Sequence, residues 1–300
     1  MENINVRLEP DSDEVSGLSK HILYVEGDSQ KSFDPSVLDV LFEDQPTPIT
    51  IKWLGPSFHI KSAAQALAAS HPHYYFLIDR DHHQDSIIDD CWNCFPDPAK
   101  YNLLIWRKRE IENYFLDPDY LSQSTHLKVT FEELKQKILQ TAQARLYLDV
   151  ANQVIVSIRE ECKETWIEKF SNLNDFKSPD DALAKLLNAS NFSDHSKQTA
   201  TLCGHEEIKQ RFNQSLNCLT GGKAKLEYGS GRWLDLIQGK PVLSQVINTC
   251  FKVCDAEGKQ IAGSAKMTYV ARSLLRQAPN NQPRDFRNLK QLICQCMARG

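Results

Sequence analysis

YYFLIDRD, residues 74 to 81, runs five apolar residues directly into an acid, an arginine and a second acid. An unbroken apolar run of this length reads as a strand buried on both faces, and the acids fall at its carboxyl end. Working outward, HILYVEG (21–27) has the same character and also ends on an acid, here followed by glycine. ITIKWLG (49–55) alternates and stops at Gly-Pro, and YNLLIW (101–106) supplies a fourth strand. Helical spacing fills two of the gaps, from about Pro35 to Glu43 and from Phe58 to Ser70. The segment after Asp81 reads as an acidic loop. Strands of five to eight residues alternating with helices predict β-α-β units, hence an α/β fold with a mainly parallel, Rossmann-like sheet. Ligands of such sheets sit beyond the carboxyl ends of the strands, where Glu26, Asp79 and Asp81 fall.

After Asp117-Pro118 the texture turns helical. Phe131 to about Phe170, Ser178 to Asn188, Glu206 to Cys218, Pro241 to Asp255, Ser264 to Gln277 and Pro283 to Ala298 are the expected helices. Proline and acids at Ser178-Pro-Asp-Asp and Asn281-Gln-Pro-Arg-Asp are helix-start chemistry. The expected division is an amino-terminal arm (1–19), an α/β catalytic domain (20–121), and a helical region for substrate and partner docking (122–300).

Lys and Arg number 35 against 39 Asp and Glu, a net charge of −4 that argues weakly against nucleic acid. The distribution qualifies this: Lys259 to Gly300 carries eight basic residues and one acid, a face suited either to solvent or to phosphates. Nine cysteines without a secretory leader argue against a disulfide framework and for the cytoplasm. No apolar run is long enough to span a membrane. The absence of a G-x-x-x-x-G-K-[ST] motif excludes ATP hydrolysis by a P-loop in this chain.

In an extended chain the carboxylates of Asp79 and Asp81 point the same way and can face one ion, with Glu26 supplying a third ligand. Such oxygen ligands suit Mg²⁺. Cys91-Trp-Asn-Cys94, after His82-His83, has zinc-type residues without the second pair a zinc finger needs, so buried or incidental thiols are the expectation. His82 and His83 either assist the acids or merely line the loop.

Three landmarks, YVEG (24–27), LIDRD (77–81) and WRKREIENYFLDPDYL (106–121), occur in the order seen in the TOPRIM domain of OLD-related nucleases. The chain most resembles the stand-alone TOPRIM effector of PARIS-type phage-defence systems. The resemblance covers residues 20 to about 121. It implies one or two Mg²⁺ ions, with Mn²⁺ able to substitute, held by Glu26, Asp79 and Asp81. Glu112 or Glu110 would assist at a second position. If residues 109 to 113 continue a strand, both glutamates share a face; if they are helical, only one reaches the site, and Glu112 is preferred. Lys240 would stabilise charge at the scissile phosphate; otherwise it is a surface lysine. One departure is Gln30, four residues after Glu26, where the related nucleases often have an acid; Asp28 is the available substitute.

The resemblance further implies a cytoplasmic endonuclease that acts as the toxin of an abortive-infection system. A partner ABC-type ATPase would hold it and release it on phage sensing. Its substrate would be RNA, specifically tRNA, and its active form a homodimer. The alternatives are an OLD-like DNA nuclease and a catalytically silent binding module for the ATPase. A topoisomerase would need a large tyrosine-bearing gate for which 300 residues leave little room. A bacterial-type primase matches neither end of the chain.

Overall fold

The computed structural model describes residues 21–45, 48–81, 83–164, 178–188 and 190–298. The expected arm (1–19), His82, Arg299 and the end of the long helix beyond residue 164 lie outside them. Four parallel strands form one sheet: β1 (Ile22–Val25), β2 (Thr50–Trp53), β3 (Tyr74–Ile78) and β4 (Leu103–Ile105), in the order β2-β1-β3-β4. Ile22 pairs with Thr50 on one side and with Tyr74 on the other, and Phe76 pairs with Leu103. Every residue of β1 is buried, as are the last four of β3, because helices cover the sheet. At the edge, β2 departs from the alternation read from its sequence: Ile51 is buried, whereas Trp53, two residues on and on the same face, is exposed.

Helices α1 (Phe33–Phe42), α2 (Ser57–Leu67) and α3 (Asp85–Cys94) connect the strands. The chain steps from β1 outward to β2, then back across β1 to β3 and on to β4. Right-handed crossovers therefore carry α1 over one face and α2 and α3 over the other. The switch in direction falls between β1 and β3, which opens a crevice at their carboxyl ends. Helix α3 corrects the expected acidic loop. Its acids mask an i, i+4 pair, Ile88 and Trp92, that is buried, and the Trp92 indole donates to the Ile105 carbonyl at 2.7 Å.

Beyond β4 come a 3-10 turn (Ile111–Phe115) and helices α4 (Pro118–Leu121), α5 (Phe131–Glu164), α6 (Pro179–Leu187), α7 (Ser190–Leu202) and α8 (His205–Thr220). Helices α9 (Trp233–Leu236), α10 (Gly239–Cys250), α11 (Gly263–Gln277) and α12 (Arg284–Met297) follow. Helix α7 was not expected, because its polar sequence, SNFSDHSKQTATL, has little apolar periodicity. The chain divides into two compact units: residues 1–141 with 234–300, and residues 142–233. Residues 234–300, expected within a helical region beginning at 122, thus pack with the sheet.

In the first unit, α11 lies against α1, and α10 against both α11 and the 3-10 turn. Phe286 of α12 inserts among Trp106, Tyr114 and Phe115, with ring centroids 5.6, 5.0 and 5.7 Å away. In the second unit, Arg211 of α8 bonds Glu161 and Glu207, and the Leu226 N–H donates to the Gln143 side chain at 2.7 Å. No helix among the described residues is long and apolar enough to cross a membrane.

Candidate metal centre

Strand β1 delivers Glu26 to the crevice, and the turn after it is held by backbone. Gly27 (φ 152°) and Gly55 exchange N–H···O bonds of 3.3 and 3.1 Å. A Cβ on Gly27 would stand 3.0 Å from the Cβ of Ser32, so glycine is needed for the close approach as well as for the angle. The Ser32 hydroxyl accepts from the N–H groups of Asp28 and Ser29, which fixes the loop into α1. Glu26 Oε1 accepts the Asp79 N–H at 2.9 Å, joining the ends of β1 and β3. Burial raises the Glu26 pKa, opposed by the Asp79 N–H; the Asp81 charge raises it further and Lys61 works against it. Lys61 Nζ is also 3.0 Å from His83 Nε2.

Asp79 directly follows the last residue of β3. Its Oδ1 is fully buried and accepts no hydrogen bond. Burial holds its pKa well above the usual carboxylate range, and the charges of Asp34, Glu26, Glu112 and Glu110 add to that. The i, i+2 alternation expected to align Asp81 with Asp79 fails, because the strand ends at Ile78 and Asp81 takes φ 46° and is exposed. Asp81 remains close enough for its charge to act on Glu26. Arg80 between them turns away, donating to the Arg107 carbonyl at 2.8 Å and to Asp85 at 2.7 Å.

Residues 109 to 113 are neither strand nor regular α-helix. Glu110 caps the 3-10 turn in extended conformation (φ −138°, ψ 158°), and Glu112 lies inside the turn, 4% exposed. Both glutamates reach the cluster, whereas a continuous helix would have separated them. Glu110 Oε2 accepts the Lys240 N–H at 2.8 Å and so caps α10 from outside, where Gln238 makes no side-chain cap. Asn113, fully buried, accepts the Glu110 N–H and donates to the carbonyls of Leu234 (3.0 Å) and Ile237 (2.9 Å). Gly239 lies so near that a Cβ would sit 2.3 Å from Asn113 Oδ1. Lys240 is exposed, and its charge opposes the raised pKa values of Glu110, Glu112 and Asp34.

Asp34, in the first turn of α1, was not anticipated. Burial lifts its pKa well above normal, followed by the charges of Glu112 and Glu26. Its sequence signal was an acid in the opening turn of the helix after the VEG loop, a place where acids usually serve only the helix dipole. Gln30 instead donates to Asp39 and to the Ile51 carbonyl, and Asp28 is exposed.

Glu26, Asp34, Asp79, Glu110 and Glu112 therefore feel one another's charge, yet no three His, Cys, Asp or Glu side chains among the described residues converge closely enough to hold an ion as they stand. Ligation would require side-chain rotation. The unpartnered Oδ1 of Asp79 fits a cation, because a buried carboxylate oxygen is costly unless a proton or a metal meets it. The all-oxygen donor set suits a hard cation such as Mg²⁺ or Mn²⁺.

The basic carboxyl-terminal region is partly committed elsewhere. Lys266 is buried against the Asn248 carbonyl, Arg276 grips Glu43 at 2.6 and 2.7 Å, and Lys290 bonds Asp44 at 2.6 Å. None of the nine cysteines, all of them among the described residues, forms a disulfide; Cys94 lies 3.5 Å from Asp90 and 3.3 Å from Lys100 Nζ.

A stability signature follows. Glu112 is pushed up to about 7, first by burial and then by Glu110. An acid whose folded pKa exceeds its unfolded one binds protons more tightly when folded, so stability falls as pH rises between about 4.5 and 7. The neighbouring Glu26, Asp34, Asp79 and Glu110 shift the same way. In EDTA, the melting temperature is expected to be several degrees lower at pH 8 than at pH 5, and Glu112→Gln should flatten the slope. A wild-type curve that rises toward pH 8 would contradict the coupled, buried cluster. Compared with protein-family models, with curated proteins and with solved structures, the chain matches none of them.

Proposed function

We propose that this chain is a Mg²⁺-dependent phosphodiesterase of the TOPRIM type, with Glu26, Asp79 and Asp81 as its principal ligands and Glu112 and Glu110 assisting. The observation that carries this reading is the group of acids at the carboxyl ends of β1 and β3, at the change of strand direction, around one buried carboxylate oxygen without a partner. Mg²⁺, when bound, polarises a phosphoryl oxygen as a Lewis acid. The remaining work belongs to the chain. Glu26 ties the two strand ends together and sets the position of Asp79. Glu110 fixes the first turn of α10, and with it the backbone of Lys240. From there the Lys240 ammonium can meet a phosphate whose negative charge grows in the transition state. Glu26 of the VEG landmark, Asp79 of the D-x-D and the two glutamates of R-E-I-E-N-Y act on one another's charge, and this supports the effector-nuclease reading. On that reading the substrate is RNA, specifically tRNA, the partner is an ABC-type ATPase that releases the nuclease on phage sensing, and the active form is a homodimer in the cytoplasm.

The test is total-RNA integrity after expression of the chain and of Glu26→Ala, with and without an ATPase encoded beside it and a phage trigger. Discrete tRNA fragments with the wild type and none with Glu26→Ala are expected. Intact RNA in both under triggered conditions would reject the ribonuclease. Cleavage of duplex DNA with tRNA left whole would move the reading to an OLD-like DNA nuclease. A phenotype unchanged by Glu26→Ala would mark a silent binding module.

A further inference from the structure

The connection from β2 into α2 runs Trp53-Leu-Gly-Pro-Ser-Phe58, and it begins and ends on an exposed aromatic ring. Trp53 is the last residue of β2, in register with Val25 of β1. It shares the face on which Ile51 is buried, yet it is 44% exposed. Phe58, in the first turn of α2, is 72% exposed. Single exposed apolar residues are ordinary on protein surfaces. This pair differs because its connection is fastened to the crevice. Gly55 exchanges backbone bonds of 3.1 and 3.3 Å with Gly27, the residue after Glu26, and the Leu54 N–H donates to the Val25 carbonyl at 3.0 Å. A Cβ on Gly55 would stand 2.8 Å from His59 Nδ1, so the imidazole lies against this bridge, and its ring centroid is 5.9 Å from that of Phe58. Lys61 follows Phe58 by three residues and so shares its side of α2; its Nζ is 3.0 Å from His83 Nε2, two residues beyond Asp81.

Aromatic rings left in water beside a proposed phosphodiesterase centre suit unpaired bases, each of which offers a π-face whatever its identity. Charge argues the same way. The chain carries a net charge of −4, acids gather at the crevice, and Lys266, Arg276 and Lys290 are engaged elsewhere. Attraction for phosphates is therefore a weak source of affinity, whereas stacking needs no charge. A duplex keeps its bases stacked on one another and offers these rings no free face. We infer that Trp53 and Phe58 form a base-stacking platform for single-stranded nucleic acid at the β2 side of the crevice, with Lys61 beside a phosphate. This inference rests on the proposed phosphodiesterase reading, which it deepens by naming an unpaired strand as the substrate.

The probe is a fluorescein-labelled oligouridylate of about 12 nucleotides, beside an RNA duplex of the same length, followed by anisotropy in EDTA with the full-length protein. The variants are Trp53→Ala, Phe58→Ala, Trp53→Tyr, Phe58→Tyr and Tyr101→Asn. Tyr101 is the control: it is 42% exposed and precedes β4, at the end of the sheet opposite the crevice, and asparagine accommodates its φ of 63°. The wild type should bind the single strand about tenfold or more tighter than the duplex, and each alanine variant should lose about tenfold for the single strand alone. The tyrosine variants at positions 53 and 58 keep a ring and should recover most of the loss, while Tyr101→Asn stays at the wild-type value. In Mg²⁺, the alanine variants should cleave the same strand with raised KM and nearly unchanged kcat, the mark of lost binding rather than lost chemistry. Melting curves verify that each variant is folded. Wild-type affinity in both alanine variants, equal affinity for the duplex, or an equal loss in Tyr101→Asn would overturn the platform. Mg²⁺-dependent cleavage persisting in any of those cases would leave the phosphodiesterase reading standing. Single-strand binding that depends on both rings, without Mg²⁺-dependent cleavage, would support the platform as a binding site and reject the phosphodiesterase reading.

Discussion

Asp79→Asn should make the metal-free protein more stable and the metal-supplemented protein inactive. The wild-type carboxylate has one oxygen buried without a partner and sits among four other acids. An amide of the same shape removes a charge whose burial is unfavourable, so the melting temperature in EDTA should rise by several degrees. On the proposed reading the same change removes a ligand. A cation present at a hundred times its dissociation constant stabilises the wild type by about 2.7 kcal/mol, and that increment should largely vanish. Any Mg²⁺-dependent phosphodiester cleavage should fall on the order of 10³-fold, as when a charge-stabilising group is taken from an active site. Differential scanning fluorimetry with EDTA and with Mg²⁺, beside a cleavage assay, reads all three. If Asp79→Asn melts lower in EDTA and responds to Mg²⁺ like the wild type, Asp79 is a structural acid and the centre lies elsewhere.

Asp285→Ala should be the most damaging single change away from that crevice. Asp285, in the first turn of α12, accepts the Tyr114 hydroxyl at 2.6 Å and an Arg107 guanidinium N–H at 3.2 Å. Tyr114 is buried, with burial first and then the Asp285 charge holding its pKa well above normal. Arg107 is one-third exposed and stacks over Trp92 at 4.5 Å, so its pairing counts for less. Removing the carboxylate strands a buried hydroxyl and loosens a partly buried cation, together about 3 kcal/mol. Urea denaturation monitored by tryptophan fluorescence measures it. A loss under about 1 kcal/mol would mean that water or a shifted side chain replaces the carboxylate. Because Tyr114 belongs to the turn that carries Glu112, part of the damage should reach the acid cluster.

The strands HILYV, YYFLI and NLLI were legible because buried parallel strands are apolar along their length, and ITIKW was legible by its alternation and its stop at Gly-Pro. The acids at their ends were legible because ligand chemistry collects where such strands stop. Other features resisted for identifiable reasons. Helix α3 hides its two buried residues among three acids and two cysteines, so a local pattern of polarity outweighed a sparse i, i+4 pair. Asp81 departs from strand alternation because the strand stops at Ile78 and Asp81 itself takes a positive φ, backbone events with no marker in D-R-D. Glu110 and Glu112 join one cluster through a short 3-10 turn, a geometry between the strand and the helix weighed from sequence. Asp34 is placed by the contact of Phe33 with Phe115, residues 82 positions apart. Periodicity carries no information about such a contact.

The discontinuity of the first compact unit has a consequence for how the molecule is made. Residues 26 to 112 bring all five clustered carboxylates off the ribosome early. Asn113 then waits for Leu234 and Ile237, and Glu110 for the Lys240 N–H, until another 92-residue unit (142–233) has emerged. Asp285, which braces Tyr114, comes later still. During synthesis the acids are therefore present long before the segment that orders them, and a prematurely terminated chain has the acids without Lys240 or the capped turn. The crevice can therefore be completed only after the chain has been made as far as Asp285.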